Sequence, residues 1–305
     1  LPCIAGHVGA DAAAVTLSER PYQADATTLL VDIGTNAEIV LGNRKLVMAA
    51  SSPTGPAFEG AEISCGQRAA PGAIERVRID RETHAAKFKI IGSELWSDEA
   101  GFAAEAEKIG ITGICGSGIV EVIAEMYLSG IISPEGVILS PESGASDHIV
   151  PTGRTFNYVI HAGEIEISVS QKDVRAVQLA KAALYAGARL LMDKLEIEEV
   201  AQIKLAGAFG SYIDPKYAMV LGLIPDCDLK QVSGIGNAAS TGARMALLNK
   251  QYRHEIQQEV KKLVKVETAM EERFQEHFVN AMAFPNNVEP FSQLRAQVTL
   301  PVHDP

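Results

Sequence analysis

The pattern of apolar and polar positions near the start of the chain predicts a β-hairpin. Residues 29–33 read Leu-Leu-Val-Asp-Ile and residues 38–41 read Glu-Ile-Val-Leu, with a polar corner between them. Apolar runs of this length bounded by turn residues are typical of buried strands, so we expect the second run to pair back on the first. A third strand over residues 45–50 follows a Gly-Asn turn.

Alternating patterns predict two further hairpins. One is formed by residues 74–80 and 86–91, and the other by residues 158–161 and 165–169. Residues 129–155, rich in Gly, Ser and Pro, are expected to form loops.

Helical patterns occupy much of the remaining chain. Ser170 and Asp173 have the spacing of a capping box, which predicts the longest helix, ending near Leu195. An apolar helix is expected over residues 119–128, and a short buried strand over residues 203–206.

The two ends of the chain carry weaker patterns. Asp11 is expected to cap a short Ala-rich helix. Phe274, Phe278 and Met282 are four residues apart, so they form one apolar stripe that we expect to pack on the domain rather than on an oligomer partner. An edge strand is expected near residue 265, and residues 286–305 are expected to form an extended tail.

Composition narrows the function classes. The 305 residues carry a net charge of −11, from 38 acidic and 27 basic residues, which argues against nucleic acid as a partner. The sequence contains neither a long apolar run for a membrane span nor a secretory signal pattern, so we expect a cytoplasmic protein. The four cysteines are scattered and the histidines have no ligand spacing, which argues against a zinc, iron–sulfur or corrinoid site within this chain.

The hairpin corner at residues 34–36 is a candidate phosphate site. Gly34 lets the main chain approach a bound group, and its neighbouring N–H groups can hold phosphate oxygens. Asp32, at the strand end, is placed to hold Mg²⁺ through water. The alternative is an ordinary β-hairpin with a polar tip.

Two other glycine-rich turns are candidates for ligand binding. Residues 116–118, Gly-Ser-Gly, lead into an apolar helix, and a helix N-terminus attracts anions. Residues 207–210, Gly-Ala-Phe-Gly, follow a strand and would let a flat ring or a ribose approach the backbone; the alternative is a tight strand–helix connection. The loop over residues 51–72 is expected to be functional, or to seal one end of the sheet, and it carries Glu59 and Glu62.

The order of these parts resembles one lobe of the actin-like ATPase (ASKHA) superfamily. The resemblance implies an α/β fold of the ribonuclease-H-like kind, with a mixed sheet flanked by helices and with inserted hairpins. More closely, the chain is similar to the C-terminal region of the reductive activators of corrinoid-dependent enzymes. The motifs that carry this likeness cover most of residues 3–245 and include D-I-G-T-N-A-E-I-V-L-G, G-P-A-F-E-G-A-E-I-S-C-G, G-I-C-G-S-G and L-A-G-A-F-G-S-Y-I-D.

The resemblance implies roles for particular residues. Asp32 would act through Mg²⁺, and Gly34, Thr35 and Asn36 would complete a phosphate turn, with Asp32 and Thr35 nearest to the chemistry. An adenosine step would be formed by Gly207, Ala208, Phe209 and Gly210. Composition and loop position alone suggest roles for Gly116, Ser117, Gly118, Glu59 and Glu62.

The resemblance also implies how the chain is organised. We expect an actin-like lobe over residues 1–250, with halves at 30–112 and 113–250, followed by a helical extension and tail over 251–305. Family members carry an upstream ferredoxin domain with a two-iron two-sulfur cluster and a further D-I-G-T-T turn. Neither is found here, so the chain is expected to be a C-terminal fragment.

The expected function is ATP-dependent reduction of cob(II)alamin to cob(I)alamin on the corrinoid protein of a methyltransferase system. In that case the chain is the ATPase part, its cofactors are ATP and Mg²⁺, and its partners are the corrinoid protein and the ferredoxin domain. A small-molecule kinase of the same superfamily and a non-catalytic assembly domain are the alternatives. A homodimer is left open.

Overall fold

The computed structural model describes residues 1–6, 8–141, 147–210 and 212–301. The strands within these ranges are β1 (Thr28–Ile33), β2 (Ala37–Gly42), β3 (Val47–Ser52), β4 (Ala73–Ile79), β5 (Ala86–Ile90), β6 (Gly113–Ile114), β7 (Ile149–Thr152), β8 (Thr155–Ala162), β9 (Glu166–Ser170), β10 (Gln202–Ala206), β11 (Val232–Gly234) and β12 (Val264–Lys265).

The helices lie between and around these strands. They are α1 (Ala10–Glu19), α2 (Phe102–Ile109), α3 (Gly116–Leu128), α4 (Gln171–Lys194), α5 (Gly207–Gly210), α6 (Pro215–Leu221), α7 (Ala238–Leu248), α8 (Lys250–Glu259), α9 (Glu272–Asn280) and α10 (Ser292–Gln297).

The central sheet is mixed, in the order β11-β10-β1-β2-β3-β12. β1, β2 and β3 form the predicted antiparallel unit, whereas β10 adds to β1 in parallel and β11 adds to β10 in parallel. β12 pairs in parallel with β3, which confirms the predicted edge strand. The predicted α/β class with a mixed sheet is therefore confirmed.

Both faces of the central sheet are covered. Leu29 and Val31 lie in the main core cluster together with Leu184 of α4, whereas Leu30 lies in a second cluster with Val15 of α1. Successive strand residues point to opposite faces, so a strand buried on both sides reads as a continuous apolar run. This explains why β1 carries no polar residue before Asp32 apart from Thr28.

A large insert separates β3 from α4. It contains two small sheets, β5-β4-β6 and β7-β8-β9, and α3 packs along β4. Both predicted hairpins are present, as β4–β5 and β8–β9. The loop prediction for residues 129–155 was wrong at β7, which pairs with β8 although Pro151 interrupts its pattern and three of its four residues are exposed.

The capping box at the start of α4 is confirmed. The Asp173 N–H donates to Ser170 Oγ at 3.3 Å, and the Ser170 N–H donates back to the Asp173 carboxylate at 2.8 Å. The same buried carboxylate accepts the Ser64 N–H at 2.8 Å, so one side chain both starts the helix and fastens the insert to it.

The chain ends agree only partly with expectation. Phe274, Phe278 and Met282 are partly buried against the main core, as predicted. The extended-tail prediction was wrong at α10, whose Leu294 is fully buried. The cap predicted at Asp11 was also wrong: α1 begins at Ala10 after Gly9, which leaves Asp11 inside the first turn. No helix within the described ranges is long and apolar enough to cross a membrane.

Lys181 of α4 anchors the segment that follows α9. Its Nζ donates to the carbonyl oxygens of Ala283 and Pro285, the latter at 2.8 Å, and lies 5.2 Å from the centroid of the Phe284 ring. The side chain is fully buried, and this burial lowers the pKa of Lys181 well below its ordinary value. A buried lysine thus holds the returning chain against the longest helix.

We predict that Lys181→Met destabilises the protein by about 1–3 kcal/mol, because two buried carbonyls lose their donor. The wild type should also become more stable as the pH rises toward 10.5, since in that window the unfolded chain binds a proton that the folded chain does not. Chemical denaturation at about pH 8 and about pH 9.5 measures both effects.

The matched control is Lys261→Met, which replaces an exposed lysine. The control should keep the wild-type dependence of stability on pH, whereas Lys181→Met should lose part of it. Identical pH dependence in all three proteins would contradict the assignment.

Candidate functional site

Strands β1 and β10 end side by side at one edge of the central sheet. Asp32 is the register partner of Ala206 in the parallel pair, so the turn after Asp32 and the corner at Gly207 adjoin. The carboxyl ends of neighbouring parallel strands are where ligands of open α/β sheets bind. The structure therefore brings together two segments that lie about 170 residues apart in the chain.

Gly207 has almost no space for a side chain. Its φ is +92°, and its N–H donates to the carbonyl oxygen of Gly236 at 3.1 Å. A Cβ atom at this position would lie 2.7 Å from Asp32 Oδ1 and 3.0 Å from the carbonyl oxygen of Ile33. The absence of a side chain therefore lets the main chain at Gly207 lie close against the Asp32 carboxylate.

Hydrogen bonds fix the conformation of the hairpin corner. The Gly34 N–H donates to the carbonyl oxygen of Asn36 at 3.0 Å. Thr54 Oγ1 lies 3.1 Å from each of the carbonyl oxygens of Gly34 and Thr35, which share its one proton. The side chains of Thr35 and Asn36 are exposed. Thr35 Oγ1 donates to Glu59 Oε1 at 2.8 Å, which links the corner to the short 3-10 helix Ala57–Glu59 of the insert.

Three carboxylates make this edge of the sheet strongly negative. Asp32 and Glu38 are opposite each other in the hairpin, and Asp11 of α1 acts on both. Burial, and then the charge of Asp11, raises the pKa of Asp32. Burial and the charges of Asp11 and Asp32 raise the pKa of Glu38 to about 7. A cation at this edge would be attracted by all three charges.

Oxygen ligands of this kind suit Mg²⁺. Within the described residues, no three His, Cys, Asp or Glu side chains are grouped so as to hold a metal ion. The half-buried Asp32 carboxylate, whose neighbours include the acidic Asp11 and Glu38, fits a hydrated Mg²⁺ held through water.

A cleft of about 500 Å³ opens beside the corner, between the insert and the chain that follows α5. Its volume is in the range of small-molecule sites. Glu59 lines it, so the cleft is joined to the phosphate-turn candidate through Thr35. The lining residues are Phe58, Glu59, Gln67, Arg68, Ala69, Glu75, Ile91, Cys115, Gly116, Ser117 and Tyr212.

The residues of the glycine turn before α3 have two different surroundings. Gly116 and Ser117 line the cleft, and Ser117 Oγ donates to the carbonyl oxygen of Glu75 at 3.2 Å. Gly118 packs instead, because a Cβ there would lie 2.3 Å from the carbonyl oxygen of Ile74. This glycine allows α3 to approach β4 closely.

Other candidates lie elsewhere. Glu62 lines a different hollow, together with Lys172 and Arg175 of α4. Gly210 is buried against Leu205. The backbones of Ala208 and Phe209 belong to α5, and their side chains lie outside the described part of the structure.

Sequence reasoning missed three polar contributors to this region. Asp11 was assigned to a helix cap, whereas its charge acts on Asp32 and Glu38. Arg68 lines the cleft and has no ion-pair partner among the described residues. Arg76 of β4 donates to the carbonyl oxygen of Tyr212 at 2.8 Å, a contact that no local pattern could reveal because 136 positions separate the two residues.

Two known proteins are similar to this chain in sequence. The corrinoid activation enzyme RamQ of Eubacterium limosum is 34% identical over 300 residues, which are 94% of this chain and 47% of RamQ. The [Co(II) methylated amine-specific corrinoid protein] reductase of Methanosarcina barkeri is 28% identical, over 86% of this chain and 46% of that protein. The chain thus spans about half the length of the curated relatives it matches.

A solved structure gives the same result. The structure of a reductive activator for corrinoid, iron–sulfur protein superposes with a TM-score of 0.81 at 31% identity, covering 94% of this chain and 44% of that one. Residues 26–295 match the family described as the C-terminal domain of RACo, the ASKHA domain. This chain therefore belongs to the RACo C-terminal, ASKHA-domain family.

Proposed function

We propose that this chain is the ATP-binding part of a reductive activator that returns cob(II)alamin to cob(I)alamin on a corrinoid protein. The names of the relatives support this, since each acts on or activates a corrinoid protein. Because the chain spans less than half of those relatives, the activity and partners of the whole protein are part of the proposal.

The observation that carries the proposal is the shared edge of β1 and β10. It puts the Asp32 carboxylate directly against the Gly207 corner, and the hydrogen bond from Thr35 to Glu59 joins the hairpin corner to the cleft. A nucleotide could therefore place its phosphates over Asp32 and its adenosine toward Gly207 and the cleft at the same time.

The residues of the corner would position charge rather than supply a covalent nucleophile. Bound Mg²⁺ would neutralise charge on the phosphate oxygens, and Asp32 would hold it through water. Thr35 and Asn36 would donate hydrogen bonds to the terminal phosphate. A hydroxyl has one proton to donate, so Thr35 would exchange its bond to Glu59 for one to phosphate, which couples nucleotide binding to the insert.

Energy coupling would act through affinity. A movement driven by ATP can favour one corrinoid state only by binding that state more tightly than the other. The reductant would be the two-iron two-sulfur cluster of a ferredoxin domain upstream in the same polypeptide. The cytoplasmic location, the homodimer and the domain division given above stay predictions.

We predict that Asp32→Asn weakens binding of Mg-ATP about 10- to 100-fold, because the charged contact to the hydrated metal is lost. Isothermal titration of the folded chain measures this. Burial already disfavours the Asp32 carboxylate, so the variant should fold at least as stably as the wild type.

The control for Asp32→Asn is Asp25→Asn, which removes an exposed carboxylate paired with Arg44. Unchanged affinity in Asp32→Asn would refute the site. Absence of any heat from the folded wild type would favour the assembly-domain alternative, and phosphate release stimulated by a small molecule rather than a corrinoid protein would favour the kinase.

We also predict that Gly207→Ala abolishes Mg-ATP binding, because the new methyl group would overlap Asp32 Oδ1. Gly130→Ala is the matched control: Gly130 also has a positive φ, +71°, but nothing lies within 4 Å of its Cβ position. It measures the backbone cost alone, about 1 kcal/mol. Equal effects of the two substitutions on affinity would show that the close approach of Gly207 to Asp32 is not needed for binding.

A further inference from the structure

Tyr212 exposes a large aromatic ring at the edge of the cleft. Its relative exposure is 60%, whereas Tyr127, Tyr158, Tyr185 and Tyr217 are buried in the core. An exposed aromatic ring that lines a concave site offers a flat apolar surface to a ligand. Tyr212 follows the Gly207–Gly210 corner by two residues, so one loop joins that corner to the lining of the cleft.

The backbone of Tyr212 is fixed by an unusual chain of contacts. Arg76 Nη1 donates to the Tyr212 carbonyl oxygen and to Glu121 Oε1, each at 2.8 Å. Glu121 is buried, with 1% exposure, and it also accepts from Arg78 at 2.6 Å and from the Val77 N–H at 3.0 Å. The guanidinium of Arg76 therefore ties a surface loop to a carboxylate that the core holds rigidly.

The rest of the cleft has the character of a slot for a flat ring. Ala69 and Ile91 supply accessible apolar surface, and Arg68 brings an exposed guanidinium. A nucleobase has apolar faces and polar edges, so it matches a slot that combines an aromatic ring, aliphatic groups and an edge donor.

We propose that the base of the bound nucleotide stacks on the ring of Tyr212, and that Arg76 is the positioning residue that holds the backbone from which this ring projects. The inference rests on the proposed function, since it assigns the base end of the same nucleotide site. Stacking uses the face of the base, so Tyr212 determines affinity for a nucleotide over a bare polyphosphate.

The test compares two ligands on the wild type, Tyr212→Ala and Tyr212→Phe. Tyr212→Ala should bind Mg-ATP about 10- to 100-fold more weakly, whereas its affinity for inorganic tripolyphosphate with Mg²⁺ should not change. Tyr212→Phe keeps the ring, so it should bind both ligands as the wild type does. Thermal unfolding of each variant checks that the fold is retained.

The outcomes distinguish a failure of the stacking assignment from a failure of the proposed function. If the wild type binds Mg-ATP and Tyr212→Ala binds it equally well, the stacking assignment is overturned while the proposed function stands. If both ligands lose affinity together in Tyr212→Ala, the residue acts on the phosphates and stacking is again overturned. A folded wild type that binds no Mg-ATP would overturn the proposed function, and this inference with it.

A double-mutant cycle tests the positioning role of Arg76. Arg76→Met leaves Glu121 with Arg78 and the Val77 N–H, so the core contact is retained. The single variant Arg76→Met should bind Mg-ATP several-fold more weakly than the wild type and should bind tripolyphosphate equally well. Added to Tyr212→Ala, it should cause no further loss of Mg-ATP affinity. Additive losses would show that Arg76 does not act through Tyr212.

Discussion

The parallel pairing of β1 with β10 is the constraint on which the candidate site depends. The register joins Asp32 to Ala206, and each strand turns immediately afterwards. A slip of one residue would reverse which face Asp32 presents and would separate its carboxylate from the Gly207 corner. The apolar residues that fix this register, Leu29 and Val31 against α4 and Leu30 against α1, are therefore also the residues that align the site.

Ionising the carboxyl groups at this edge of the sheet costs free energy. Asp11, Asp32 and Glu38 bring like charges into a half-buried region, and the raised pKa values of Asp32 and Glu38 record the cost of ionising them there. Structures retain such unfavourable groups where a ligand compensates them. A hydrated cation would do so, which is consistent with the proposed nucleotide site.

Short sequence patterns predicted the individual strands and helices better than they predicted the contacts between distant parts of the chain. The hairpin at Gly34, the capping box at Ser170 and the strand before Gly207 follow from short sequence patterns, and the structure contains each of them. β7 was missed because an exposed strand has no apolar periodicity to detect. The pairing of β1 with β10 was not predicted, because contacts between distant segments leave no periodic trace in the sequence. The cleft was not predicted, since it forms only when the insert folds back over the sheet.

Two guanidinium groups, those of Arg76 and Arg78, converge on the single carboxylate of Glu121. A buried side chain of α3, acting through Arg76, therefore holds the Tyr212 edge of the cleft in place. Natural variation at this buried helix position would therefore alter how readily the rim admits a ligand, even though no ligand could touch it. Tolerance to substitution would be lowest in the interior of that helix, well away from the exposed loop it supports.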